Sequence, residues 1–206
     1  MKNIHPNVVT SFSPETSEPD LDPTAYVHPL AAVIGAVHIG KRVMVSPAAS
    51  VRGDEGQPLW VGDESNVQDG VILHALETWA DGEPVEANLV TVDGEKYAIY
   101  VGDRVSLAHQ VHVHGPASIG DDTFVGMQSM VFKAEVGQGC VIEPKSLVMG
   151  VKIADGRYVP AGSVIKTQED ADRLPEISDD YAFKDLNKGV LHVNTHLADA
   201  YNAADM

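Results

Sequence analysis

Aliphatic residues recur at every sixth position through most of this chain. Val27, Val33, Ile39, Val45 and Val51 form one run, and Val61, Val67 and Leu73 a second. Val101, Leu107, Val113, Ile119, Val125 and Val131 form a third. After a one-residue slip come Val136, Ile142 and Val148, and after another Ile153, Val159 and Ile165. Glycine often follows the aliphatic residue, as at Gly40, Gly62, Gly102, Gly120, Gly126 and Gly137. Small or β-branched residues recur four places after it, among them Ala31, Val43, Ser65, Val105 and Thr123. A period of six matches neither an α-helix nor a plain strand. It is the signature of a β-helix, in which each six supplies one short strand and one corner. Three sixes close a triangular coil with the aliphatic residue inside, and coils stack at about 4.8 Å like strands in a sheet.

The fold class expected is therefore all-β: a parallel β-helix of hexapeptide repeats over 23–166. An extended segment, 1–22, precedes it, and a helical segment, 167–206, follows and packs on its outside. Two stretches break the ladder. Arg52–Trp60 is slightly too long for one face, and His74–Tyr100 is a large excursion that inserts 75–99. That insertion carries Glu77, Glu83 and Glu86 with turn signals at Asp81-Gly82 and Asp93-Gly94. We expect an acidic loop capped by a short hairpin, and long insertions in solenoids tend to be functional. Beyond Ile165, Thr167 is placed to cap a short helix ending at Pro175. A longer helix is expected from about Asp180, with Tyr181, Leu186, Val190, Val193, Leu197 and Tyr201 as its apolar stripe.

Composition narrows the partners. The 206 residues fit one domain, and a formal net charge of -16 argues against nucleic acid and anionic membrane. No apolar run is long enough to span a bilayer. Cys140 is the only cysteine, so no intrachain disulfide is possible. The opening residues lack the apolar region of a secretion signal, so we expect a cytoplasmic protein, with export behind a removed leader as the alternative.

The segment Ser106–Gly115 holds His109, His112 and His114. Histidine is the commonest metal ligand, and the repeat decides which of the three share a site. Grouped by coil, the inward residues Val51, Leu73 and Val113 lie on one face, one coil apart. The residues after them, Arg52, His74 and His114, then stack in one file, so His74 and His114 are neighbours able to share a metal. His112 falls in another file, between Ile72 and Met130, and reads as outward without a metal role. His109 stacks over Asp69 on another face. It reaches His74 and His114 only across a three-fold interface, where one subunit's face meets its neighbour's corner. Three imidazoles leave a fourth position open, the arrangement of a catalytic zinc. His5, His28, His38, His192 and His196 read as surface or packing residues.

Several stretches resemble γ-class carbonic anhydrases: Ser50–Gly56 (SVRGDEG), Ser65–Glu77 (SNVQDGVILHALE), Ser106–Pro116 and Asp121–Phe132. The acidic loop and the C-terminal HVNTHLA are similar to the archaeal prototype branch of that family. The resemblance implies a left-handed β-helix and a homotrimer with metal sites between subunits. It implies His74, His109 and His114 as ligands of Zn²⁺, with Fe²⁺ or Co²⁺ as alternatives. It implies reversible hydration of CO₂ to bicarbonate and a proton, by attack of metal-bound hydroxide with a carboxylate proton shuttle. Glu77 matches the shuttle carboxylate. Gln68 is expected to hydrogen-bond the reacting oxygen, with Asn66 beside it. Asn194 matches a pocket residue. Arg52 is expected to pair with Asp69 of a neighbouring subunit, with Asp54 and Glu55 at the same seam. Three departures stand out. Phe12 replaces a tryptophan, His192 replaces a tyrosine, and the loop is one residue shorter after Glu77. Two other readings fit a hexapeptide fold: an acyl-CoA-dependent acyltransferase, and a non-catalytic scaffold that kept the fold.

Overall fold

A computed structural model of the chain describes residues 3–204; the outermost two residues of each expected terminal segment lie outside it. Short strands pair in parallel into three sheets, one per face of a triangular β-helix. The first face has eight strands, from Ile4–His5 and Ala32–Gly35 through Ser50–Gly53, Ile72–His74 and His112–His114 to Val164–Ile165. The second face runs through Val37–Ile39, Leu59–Val61, Ile99–Val101 and Ala117–Ile119, the third through Met44–Val45, Asn66–Val67, Ser106–Leu107 and Phe124–Val125, and each has seven strands. The inward file holds as the repeat predicts: Val51, Leu73 and Val113 stand in register, and all are fully buried. Each aliphatic side chain packs on its equivalents one coil away, so the core is a column of stacked layers along the axis.

The first 22 residues do more than run extended. Ile4–His5 pairs with Val33 and Ile34, and Asp20–Leu21 pairs with His38 and Ile39, so both extend the sheets.

Two details of the repeat have physical causes that differ from a simple turn reading. The one-residue slips before Val136 and Ile153 both fall at the corner between the first and second faces. There Lys133 (φ 49°) and Gly150 (φ 69°) turn the chain in the left-handed region and shorten the corner. The glycines that follow the aliphatic residues have another role. At Gly102 the next coil approaches so closely that an added Cβ would lie 2.3 Å from Asp121 Oδ1. These glycines admit the neighbouring coil rather than bend the chain.

The insertion carries two hairpins, not one. Trp79–Ala80 pairs with Glu83–Pro84 around Asp81-Gly82, and Val90–Val92 pairs with Glu95–Tyr97 around Asp93-Gly94. Both residues of each turn have positive φ, the two-residue geometry that Asp-Gly favours.

Thr167 caps α1, Gln168–Asp172, by accepting the Asp170 N–H. The long helix, α2, spans Leu186–Ala203, starting six residues later than expected; Tyr181 lies in the turns before it. Its contact face shares only Val190 and Tyr201 with the expected stripe. Asn187, Asn194, Thr195 and Ala198 are buried, whereas Val193 is 53% exposed and Leu186 and Leu197 are also exposed. The reason is the surface it covers. Asn187 Nδ2 donates to the Arg104 carbonyl at 2.9 Å, Arg42 grips both oxygens of Asp199 at 3.1 and 2.8 Å, and Tyr201 stacks on Tyr26. Corner carbonyls and charges need polar partners, so small and polar side chains face inward. Among the described residues no helix is long and apolar enough to cross a membrane.

Candidate metal site

At the edge of the first face that meets the second, Arg52 stacks over Ile34, His74 pairs in register with His114, and Phe132 follows. The His74 and His114 ring centroids are 5.6 Å apart and the rings nearly perpendicular, at 88°. Only parallel in-register pairing brings these two histidines, forty residues apart in sequence, to adjacent coils. The same register puts His112 opposite Ile72 and Met130, neither of which ligates well. Burial, with His114 and His74 nearby, lowers the His112 pKa.

Hydrogen bonds set which nitrogen of each ring is free. His114 Nδ1 lies 3.1 Å from the Gly115 carbonyl, which can only accept, so Nδ1 carries the proton and Nε2 the lone pair. His74 Nε2 lies 2.9 Å from Arg52 Nη2, a donor-only group, so the neutral ring's lone pair at this nitrogen is engaged by Arg52. Burial first, then the Arg52 charge, lowers the His74 pKa and favours that neutral form. Arg52 Nε also donates to Asp54 Oδ2 at 3.1 Å. The other Asp54 oxygen, Oδ1, is buried without a partner and sits 3.7 Å from His74 Nε2. Glu55 Oε1 is 2.7 Å from the same nitrogen. Burial and then the Asp54 charge push the Glu55 carboxyl up. Asp54, Glu55 and His74 offer ligand atoms within 4.8 Å of one another. The His114 Nε2, the His74 Nε2 that Arg52 and Glu55 contact, and the unpartnered Asp54 oxygen stand at one edge, and imidazole and carboxylate are the ligand types a borderline divalent cation takes.

His109 is not in this cluster. It sits at the opposite edge of the first face, on the corner from the third, with its side chain 58% exposed. His114 lies five positions further on, at most about 16 Å of extended chain. Its Nδ1 lies 3.0 Å from Asp69 Oδ2, so Nδ1–H donates to the carboxylate and Nε2 keeps its lone pair. A carboxylate behind a histidine in this way fixes the ring and raises its basicity as a ligand. Around His109 is a groove between the third face and α2, bordered by Gln68, Val190, Asn194 and the exposed Leu186, Val193 and Leu197.

Gln68 projects from a buried chain. Its Nε2 donates to Asn66 Oδ1 at 2.9 Å, and Asn66 Nδ2 donates to Ser106 Oγ at 2.8 Å. Ser106 was no candidate in the sequence; it stands opposite Asn66 one coil on, a neighbour visible only once the register is known. Asn194 donates to the Val190 carbonyl within its own helix.

Glu77 is exposed at the start of the insertion. Beside it, Thr78 is buried and pins the loop: its N–H donates to the Glu55 carbonyl at 2.9 Å and its hydroxyl accepts from Gln57 N–H at 2.6 Å. The loop base therefore holds Glu77 near Glu55, and the Glu77 charge acts on the Glu55 carboxyl. The Phe12 carbonyl packs over Gly56, 2.8 Å from where its Cβ would be, so the N-terminal segment seals the same corner. His192 lies exposed on α2, away from His74 and His114.

The chain is 60% identical over 200 residues to a carbonic anhydrase of Methanosarcina thermophila, an alignment that takes in 97% of this chain and 81% of that protein. It is 38% identical over 195 residues to a carboxysome assembly protein, CcmM, of a Nostoc species, covering 95% of this chain and 33% of that protein. Among solved structures, a hexapeptide transferase family protein from Anaplasma phagocytophilum has the same fold. Its TM-score is 0.67 at 23% identity, and the match covers 90% of this chain and 93% of that one. No protein-family model matches.

Proposed function

Because the chain belongs to the γ-class carbonic anhydrases, metal-dependent lyases acting on CO₂ and bicarbonate, we propose that its catalytic centre lies between subunits of a homotrimer. In this reading His74 and His114 of one copy and His109 of the next hold one metal, Zn²⁺ in the first instance. The observation that carries it is the placement of imidazoles at the two edges of one face. A pair stands at one edge, and a single carboxylate-backed imidazole at the other. Cyclic three-fold symmetry brings unlike edges of neighbouring copies together. The exposed Leu186, Val193 and Leu197 beside His109 supply apolar area for such a contact. Three imidazoles also suit Fe²⁺ and Co²⁺.

When bound, the cation supplies hydroxide at neutral pH by acidifying a water, the property for which carbonic anhydrase is itself the general example. The chain's own residues do the rest. Asp69 and the Gly115 carbonyl lock the tautomers of His109 and His114. Arg52 holds Asp54 through Nε, releases His74 Nε2 when that nitrogen ligates, and in this reading pairs with the next copy's Asp69 across the seam. Asn66 and Ser106 fix the Gln68 amide, which orients the reacting oxygen in the groove beside His109. Asn194 borders the same groove and shapes it. Glu55, the buried carboxyl at His74, takes the released proton, and Glu77 passes it from the exposed loop to buffer.

The fold is shared with hexapeptide transferases, but the acyltransferase alternative has only that fold-level likeness behind it. The scaffold alternative differs in outcome, since it needs neither the metal ligands nor Glu77. Two substitutions test the reading. Asp69→Asn should weaken metal retention about 10–100-fold, measured as zinc content after dialysis against a chelator in the fraction that remains trimeric. Glu77→Ala should slow CO₂ hydration about tenfold or more at low buffer, with recovery when imidazole is added. A buffer dependence equal to wild type would remove Glu77 from proton transfer.

A further inference from the structure

We infer that His192 and His196, on the outer side of α2, form a second metal site, separate from the proposed catalytic centre and specific for borderline divalent cations such as Zn²⁺ or Cu²⁺. The two histidines are four apart on the helix, so they project from one side, one turn apart. Their ring centroids are 4.2 Å apart. Two histidines four apart on a helix are the spacing that lets imidazoles chelate one zinc in helical metal sites. Both are exposed, and Asn194 and Ala198, which face the β-helix, lie on the opposite side of α2. An incoming ion therefore meets no steric barrier from the rest of the chain.

The tautomer of His196 is already set for ligation. Its Nδ1 lies 2.7 Å from the His192 carbonyl, an acceptor, so Nδ1 carries the proton and Nε2 presents its lone pair. His192 turns its ring toward that of His196 at an interplanar angle of 51°. A rotation about its own side chain, free at an exposed site, brings its lone pair to the same point.

The donor set decides how tight the site is. Asp199, one turn further on, is the one nearby carboxylate on the helix that could add a third ligand. Arg42 already holds both of its oxygens, at 3.1 and 2.8 Å. The remaining coordination positions fall to water, so the ion exchanges readily, and Cu²⁺ binds more tightly than Zn²⁺. This is the behaviour of a labile surface site, unlike the closed sphere of a structural zinc.

The test uses zinc-loaded holoenzyme, assembled as purified, dialysed against free zinc up to about 100 µM. Wild type should take up one further zinc per chain. His196→Gln and His192→Gln should each weaken that second uptake by about tenfold or more, because chelation by two linked ligands is lost. His196→Gln should keep its first zinc and its CO₂ hydration rate. No second uptake by wild type would overturn the inference, as would second uptake of equal affinity in both variants.

Discussion

His114→Ala is expected to lower CO₂ hydration by at least about three orders of magnitude and to leave the β-helix folded. The ring is half-buried and stands at the end of a strand whose inward residue, Val113, is fully buried and unchanged. Truncation removes one of the three proposed imidazole ligands, leaving His74 and the next copy's His109, too few for a catalytic zinc. The hydrogen bond from Nδ1 to the Gly115 carbonyl is lost too, but that carbonyl lies at a corner where water can replace it. Metal content should fall in step with activity, and circular dichroism should match wild type. His112→Ala is the control. Its ring centroid is as near to His114 as that of His74, 5.6 Å in each case, yet the register turns it toward Ile72 and Met130. It should retain the metal and most of the rate. Hydration that survives the loss of His114, or disappears equally with His112, would contradict the ligand assignment.

Leu73→Ala carries the second large effect, on stability. Leu73 is fully buried and packs in register between Val51 and Val113. Neighbouring coils are tied by main-chain hydrogen bonds and cannot close around a void. The cost should therefore be about 3 kcal/mol, within the usual 2–5 for such truncations. Ile72→Ala, one residue earlier and 41% exposed, should cost less than about 1 kcal/mol. The difference shows as a lower urea midpoint for Leu73→Ala, measured at fixed protein and metal concentration. Leu73 also anchors the strand that carries His74, so the same variant should hold its metal less tightly. Equal midpoints for the two variants would mean that the inward file does not carry the core.

These contrasts also show what the linear sequence made legible. The period of six survives in the chain because every inward position is occupied by an aliphatic residue of similar size. The register of His74 with His114, and the exclusion of His112, follow by counting. Three features did not follow. The glycines after the aliphatic residues resemble turn residues in sequence, yet they serve close approach of the next coil, which is a property of the stack. The α2 stripe misled in part: Val190 and Tyr201 face the β-helix, but Leu186, Val193 and Leu197 do not. The surface there is lined by corner carbonyls and by Arg42, which Asn187 and Asp199 satisfy. Leu186, Val193 and Leu197 remain outside, beside His109, where the proposed neighbour would cover them. Ser106 and Thr78 carry no motif; their contacts with Asn66, Gln57 and Glu55 exist only after coils are stacked. The second hairpin, in contrast, was signalled by its own Asp-Gly and needed only the same reading as the first.

The central claim is that each metal site is completed by two copies of the chain. It is tested by refolding an equal mixture of His109→Ala and His114→Ala chains into joint trimers. Each variant alone lacks a ligand at every interface and should be inactive. In the mixture, an interface is intact when a His109→Ala copy supplies His74 and His114 and a His114→Ala copy supplies His109. Random assembly of a cyclic trimer gives this at about one interface in four. Recovery of about a quarter of wild-type hydration, with a matching share of bound metal, is the predicted result. Joint trimers that remain inactive and metal-free would contradict a site shared between subunits.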